Sequence, residues 1–565
     1  LNSNGKVDRR ALPAPRRDRE VAGTQYQAPH TEIERVLESL WAGVLRVPQV
    51  GINDNFFALG GHSLLVVQLI ARVRSVFQID LPIRALFESP TIAGLARHIQ
   101  SHKADYSLPS LPEFQPGVRP QHIPLALAQQ RFWFLDRLDP GNPAYNVPLA
   151  LRISGPFQPE YCQETLQILA RRHETLRTTL GTVKGKPVQR IVEQPDIPFL
   201  PINLSGLDEE GKEQAAIIAL EEEVARPFKL TAGPLIRAMH LRLSSSEHML
   251  LITMHHIITD GWSFDLLLQE FCHVYNALAA NRSPELPDLP IQYADFAVWQ
   301  RKWQEQGLMD RQLEYWKRQL AGLPESTLPL DGPQVAQSTA PLAASVVRLS
   351  PALRDSVHQL SQREGVTPFM TLLALFQMLL GAWTRRDDLA VGTLVANRAQ
   401  VEVEALVGCF VNTLVLRTSL AGNPSFRELL RRVQETALGA YVHQDTPFDA
   451  IVNALRSPQQ RTRRPLYMAM FALHTMPQEI APALTELELA PIDLRSKTAR
   501  TDLMLSLSEA KGEISGALEY NADLFAETTI ARLARHYMRL VELACEQPES
   551  TLQDLLTRAG VITGS

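Results

Sequence analysis

Cysteine is scarce in this sequence. Four occur in 565 residues, at 162, 272, 409 and 545, with neither paired nor metal-ligand spacing. That excludes a disulfide framework and points to a reducing cytosol with buried free thiols. An excess of one charge is also missing. Fifty-six Lys and Arg nearly balance 61 Asp and Glu, leaving −5 spread along the chain, which makes no electrostatic case for nucleic acid. Long hydrophobic runs are absent too. The longest apolar segment, Thr367 to Trp383, is broken by Gln377, so it reads as a core helix and no membrane span is expected. No secretory signal opens the sequence, and its first residue is Leu1, so a cytoplasmic piece of something longer is expected. No short-period repeat is present.

What is there is a globular composition, 45% hydrophobic and 21% charged. Single cores rarely grow beyond about 300 residues, so several domains are expected. Residues 1–30 are rich in Arg and Pro and lack a hydrophobic period, an extended lead-in. From Thr31 the pattern turns helical. Thr31 and Glu34 form a capping box, and Ile33, Val36, Leu37, Leu40, Trp41 and Val44 recur at helical spacing. The loop Asp54–Ser63 leads into a second helix with Leu65, Val66, Leu69, Ile70, Val73 and Phe77 on one face. Two shorter stretches, 83–87 and 91–99, complete a small all-α four-helix domain over 31–102. A proline-bearing linker, 103–122, follows. Ser63 stands where the second helix begins. It serves either as a cap or, because Gly60-Gly61 lets the backbone expose it, as a side chain placed where the helix N-terminus favours a nearby phosphate group.

From 123 onward strand-like and helix-like stretches alternate, which predicts an α/β architecture long enough for two lobes, 123–299 and 300–555. Residues 556–565 read as the start of a further linker. The stretch Met254-His-His-Ile-Ile-Thr-Asp-Gly-Trp-Ser263 joins an apolar strand to an amphipathic helix. Adjacent strand histidines point to opposite faces, so only one of His255 and His256 can look into a given cavity. A neutral imidazole there can take or give a proton. Asp260 offers a charge, either as a triad-like orienter or as a structural anchor. Gly261 is expected to supply a backbone conformation or a close approach that a Cβ would block. A metal reading of His255, His256 and Asp260 finds no third convergent His or Cys.

Several motifs carry a family resemblance. Asn4-Gly-Lys-Val-Asp-Arg-Arg10 resembles the closing motif of an adenylation domain of nonribosomal peptide synthetases; with no such domain preceding it here, Lys6 is expected to be inert. Asp54 to Leu65 resembles the peptidyl carrier protein motif of the same synthetases. That implies 4′-phosphopantetheine carried covalently on Ser63, loaded by a phosphopantetheinyl transferase. Segments from Leu125 to Leu466 resemble, in order, the seven motifs of their condensation domains. They include Leu125–Leu135, Arg172–Thr178, the His-His stretch, Tyr293–Trp299, Val407–Thr413 and His443–Asp449, ending at Arg464-Pro-Leu466.

The resemblance implies two chloramphenicol-acetyltransferase-like lobes in a V, with a tunnel between them. A carrier-bound amine would attack a carrier-bound aminoacyl or peptidyl thioester there, forming an amide. His256 would face the tunnel, as base or as a positioning group. His255 would make structural hydrogen bonds in the N-terminal lobe, and Asp260 would pair with Arg398 and hold the loop. Trp133, Phe296, Trp299, Arg177 and His443 read as structural. A cyclisation domain would have aspartate in place of His255, and a β-lactam-forming relative would have histidine in place of Met254. The motif Ala128–Leu135 leans toward an L-configured donor. Alternatives are a non-catalytic docking module, an ester-forming acyltransferase and an epimerisation-type relative. The domain order implies a donor carrier followed by its condensation domain. Partners would be an upstream adenylation domain and downstream adenylation and acceptor-carrier domains, and a monomer is expected.

Overall fold

The computed structural model of the chain describes residues 26–102 apart from 78 and 80. It also describes 114–562 apart from 195, 325–326, 333–339, 399, 457–465, 476–483, 495–497 and 511. The Lys6 motif, Arg464-Pro465, linker residues 103–113 and the last three residues lie outside them. The chain divides into two compact units, Leu1–Pro109 and Ser110–Ser565.

In the first unit the helix Glu32–Leu45 begins on its capping box: Thr31 Oγ1 accepts from Glu34 N, and Glu34 Oε2 accepts from Thr31 N at 2.9 Å. It ends at Arg46 in the left-handed region and buries Leu37, Trp41, Val44 and Leu45. The Trp41 ring meets Phe56 edge-on at 5.1 Å, tying this helix to the loop before Ser63. The helix Ser63–Phe77 lays Val66, Leu69, Ile70 and Val73 into the same core, joined by the helix Ile92–His102. Each such side chain contributes roughly 1.5–3 kcal/mol through transfer from water. A short helix, Arg84–Glu88, completes the unit.

The second unit is built on two large sheets. The five-stranded one runs Glu488–Pro491, Asn146–Ser154, Glu247–His255, Ile236–Arg242 and Phe199–Asn203 in spatial order. Along its central strand, Leu250, Ile252 and Met254 enter a core with the helices Pro159–Arg172 and Gly261–Ala279, while Met249 and Leu251 meet the helix Glu209–Ala225. A strand covered on both faces must be apolar at every step, hence the unbroken Met249–Ile252. The six-stranded sheet runs Asn412–Ser419, Asp388–Val395, Ala469–Thr475, Leu503–Ala510, Glu513–Asn521 and Leu342–Leu349. The apolar segment seen in the sequence is its helix Pro368–Thr384, capped by Thr367 and buried on every face from Met370 to Gly381. Among the described residues no single helix is long and apolar enough to cross a membrane.

The lobe boundary at residue 299 needs correction. It cuts the continuous helix Tyr293–Glu305, whose Phe296 and Trp299 pack with Val403, Leu406 and Phe410 from the second half. The lobes also exchange chain: Glu488–Pro491 leaves the second half and pairs antiparallel with Leu151–Ser154. A one-dimensional cut fails because the edge of the first sheet is completed by a strand 340 residues downstream in the register Leu151↔Pro491.

Candidate functional site

The strand Glu247–His255 stops at His255, a single 3-10 turn covers His256–Ile258, and Asp260 caps the helix Gly261–Ala279. The two histidines diverge. His255 is buried in the first lobe, with its Nδ1 accepting from Ile257 N at 3.1 Å and its ring beside Tyr145 and Phe228. Burial pushes its pKa down to about 3, so it is neutral at physiological pH. His256 is half-buried and stacks on Phe132 at 4.8 Å between centroids. Among the described residues its Nδ1 is sealed from solvent and makes no hydrogen bond within 3.5 Å, which leaves Nε2 as the nitrogen through which the ring can act. Burial lowers its pKa first, and the Arg500 guanidinium adds to that; Asp260 opposes. The imidazole is therefore neutral near pH 7.

Asp260 does not orient His256. Its Oδ1 accepts from Ser263 N at 2.9 Å, Ser263 Oγ at 2.7 Å and Arg398 Nη2 at 3.3 Å, and its Oδ2 accepts from Phe410 N at 2.9 Å. The Arg398 pairing implied by the family resemblance is present, and both partners are buried. Arg398 also donates to the Val403 and Leu406 carbonyls, each at 2.7 Å, and lies over the Phe410 ring at 3.9 Å. Burial lowers its pKa while Asp260 supports the charge.

Gly261 requires a correction. It has no left-handed backbone, and a Cβ there would meet no atom within 4 Å. As first residue of the helix it needs ordinary dihedrals, so the fold imposes no glycine; the position opens on free space.

Residues that sequence reasoning left out complete the loop. Ser263 Oγ accepts from Gly408 N at 3.0 Å and Arg398 Nη2 at 2.9 Å, and lies 2.8 Å from the Gly408 carbonyl. Trp262 Nε1 donates to Glu404 O at 2.9 Å, and Gln129 Nε2 donates to Ile257 O at 3.2 Å. The segment 404–410, which lies between two strands of the second sheet, is thus pinned to the histidine loop of the first. Asp-x-x-Ser at a helix start was a legible cap, but its partners 145 residues away were not. Elsewhere, Arg177 pairs with Glu174 at 3.8 Å, and His443 stacks on Tyr315 with Nδ1 at 2.8 Å from Gly439 O. Phe296 and Trp299 are buried, and Trp133 packs against the first lobe's core.

In the first unit Ser63 is the first residue of its helix and half-buried. Gly60 takes φ +97°, and a Cβ on Gly61 would come within 2.2 Å of Phe56 Cδ1 and 2.6 Å of its carbonyl. The left-handed φ at Gly60 and the close approach at Gly61 bring Ser63 to the start of a 15-residue helix, whose N-terminal dipole favours an anion. The residues present fit a phosphodiester-linked group on Ser63.

Comparison with known proteins agrees with this division. The phosphopantetheine attachment site family matches residues 35–99, and the condensation domain family matches 119–559. One of the linear gramicidin synthase chains of Brevibacillus parabrevis is 42% identical over 96% of this chain, and malpibaldin synthetase of Mortierella alpina 38% over 98%. The chain spans only 11% and 10% of those two proteins. Among solved structures, the X-domain from teicoplanin biosynthesis superposes with a TM-score of 0.71 at 28% identity, covering 78% of this chain and 99% of that one. The first condensation domain of the calcium-dependent antibiotic synthetase, at 20% identity and a TM-score of 0.64, shares the fold over 77% of this chain and 99% of its own. With a phosphopantetheine carrier domain ahead of it, the chain belongs to the condensation-domain family of nonribosomal peptide synthetases.

Proposed function

We propose that the second unit forms an amide between a thioester donor presented by the Ser63 carrier and an amine acceptor presented by a downstream carrier. The phosphopantetheine arm, when bound to Ser63, supplies a flexible thiol on which the donor acyl group rides as a thioester. His256 carries the reading: a neutral imidazole, fixed by stacking on Phe132, on a loop clamped to the opposite lobe. The attacking nitrogen must shed a proton as it bonds to carbon. Nε2 of a neutral ring can accept it or hold the amine by a hydrogen bond. Asp260, Ser263 and Arg398 keep the loop in place and touch nothing that reacts. In this reading the upstream partner is an adenylation domain, the downstream partners are an adenylation domain and acceptor carrier, and a phosphopantetheinyl transferase loads Ser63. The chain works as a monomer in the cytoplasm.

A docking module without chemistry is the competing reading; one similar structure is the teicoplanin X-domain in complex with OxyB. Its test is product formation. The chain is loaded at Ser63 with an aminoacyl arm, given an amine-bearing acceptor in trans and assayed by intact-protein mass spectrometry. Amide that falls at least 10²-fold in His256→Ala supports the enzyme. Equal product from both proteins, or none from either with Ser63 fully loaded, supports the module. Product from an alcohol acceptor but not from the amine would assign ester formation instead.

A further inference from the structure

One polar side chain beside His256 is held in place and left unused. Asn146 pairs with His255 as the last rung between the strands Asn146–Ser154 and Glu247–His255, so Tyr145 and His256 leave the ladder side by side. Both rings rest on one neighbour. Phe132 stacks on His256 at 4.8 Å between centroids and meets Tyr145 edge-on at 5.4 Å. The Tyr145 ring also lies 6.3 Å from that of His255. Its backbone is fixed on either side. Asn142 Oδ1 accepts from Ala144 N at 2.8 Å to hold the turn Pro143–Tyr145. Asn146 Nδ2 donates to the Val224 and Arg226 carbonyls at 2.7 and 2.9 Å.

The hydroxyl is treated differently from those of other tyrosines in this unit, which are spent on backbone. Tyr275 Oη accepts from Gln158 N at 2.8 Å, Tyr293 Oη donates to Cys409 O at 2.6 Å and Tyr537 Oη to Leu372 O at 3.0 Å. Among the described residues Tyr145 Oη makes no hydrogen bond, and unlike His256 Nδ1 it is not sealed from solvent. A packed tyrosine ordinarily finds its hydroxyl a partner. Here the ring is half-buried and fixed, the oxygen is open, and the imidazole is one rung away.

We propose that Tyr145 Oη accepts a hydrogen bond from the attacking amine, as a second acceptor beside His256 Nε2, and so favours primary over secondary amines. This rests on the amide-forming reading above. A neutral primary amine has two N–H groups and one lone pair. The lone pair must stay free to reach the thioester carbon, so a productive contact accepts from N–H and does not donate to nitrogen. With one N–H on Nε2 and the other on Oη, the lone pair has one direction left. As nitrogen bonds to carbon, the carbonyl π pair moves onto oxygen and the nitrogen becomes cationic. Nε2 takes one proton. The oxygen pair then re-forms the carbonyl, the C–S bond breaks, and the departing sulfur takes that proton as a thiol. The second N–H stays on the new amide, on Oη throughout. An N-alkylated amine has a single N–H, which Nε2 uses, and its alkyl group leaves the tyrosine oxygen unpaired.

The test uses the full chain, loaded at Ser63 with an aminoacyl arm, as wild type and as Tyr145→Phe, which keeps the ring. Glycyl- and sarcosyl-pantetheine, which differ by one N-methyl group, serve as acceptors. Wild type is expected to prefer the glycyl acceptor in kcat/KM. Tyr145→Phe should narrow that preference about 3–10-fold through the glycyl rate, the worth of one hydrogen bond, with Tm unchanged. A preference that Tyr145→Phe does not narrow, including equal losses on both acceptors, overturns the proposal. In parallel, isothermal titration calorimetry at about pH 8.5, where an α-amine is mostly neutral, compares the same two acceptors with NH in place of the thioester sulfur. The glycyl preference in Kd should narrow by a similar factor in Tyr145→Phe. Should the wild type form no amide, the amide-forming reading fails, while the calorimetric preference still decides whether Tyr145 binds the amine.

Discussion

Replacing Asp260 with Asn changes one atom of the clamp and little of its shape. The carboxylate accepts four hydrogen bonds, three on Oδ1 and one on Oδ2. An Asn that keeps its oxygen toward Ser263 and Arg398 turns its NH2 against Phe410 N–H, donor against donor. The flipped amide sets donors against three donors. Either way Arg398, buried at 3% exposure, loses its counter-charge. Breaking a buried ion pair from one side costs about 3–5 kcal/mol. Arg398 keeps two carbonyls, the Ser263 hydroxyl and the Phe410 ring, which places the loss near about 3 kcal/mol. For the unit Ser110–Ser565, whose unfolding entropy at about 2.1 cal/mol/K per residue comes to about 1 kcal/mol/K, that is a fall in Tm of roughly 3 °C. Differential scanning fluorimetry reads the Tm, and the amide-forming assay reads turnover on the same samples. Turnover should fall together with Tm. The double variant Asp260→Asn with Arg398→Met should lose less than the sum of the single losses, because no buried charge is stranded. An unchanged Tm with abolished turnover would refute the reasoning and return Asp260 to a direct role beside His256.

Two further outcomes follow from the geometry. Gly61→Ala must displace Phe56, which packs on Trp41, so the carrier unit should lose about 1–3 kcal/mol and load more slowly at Ser63; a loading rate and circular-dichroism melt equal to wild type would contradict this. Stability should also fall on mild acidification. His255 and His240 have folded-state pKa values pushed down to about 3 and about 4, largely by burial. Unfolded histidines near pH 6.5 bind protons that the folded ones refuse, so stability declines as pH falls from about 6.5 toward 4 and is unaffected above that window. Melts between pH 7.5 and pH 5 check the sign, and a flat Tm would remove these histidines from the balance.

Much of the carrier unit was legible because its information is local. A capping box, a 3.6-residue period and two glycines before a serine each act within one turn of helix, and the structure has the same cap, helix and turn. The divergence of His255 and His256 was equally local, following from strand alternation. The order of motifs along the chain placed the second unit in its family. Gly261 marks the limit on the other side: glycine in a motif reads as backbone necessity, yet the backbone there is ordinary and what the residue preserves is open space.

What the sequence determined by itself was thus the helices of the carrier unit, the phosphate-ready helix start at Ser63 and a histidine loop at a strand end. Tertiary structure decided which distant residues clamp that loop. Ser263 meets Gly408 across 145 residues, and Glu488–Pro491 crosses to the other lobe's sheet edge. None of these pairings leaves a periodic or capping trace, because a hydrogen bond or Coulomb interaction between distant segments constrains only two residues and not the pattern around them.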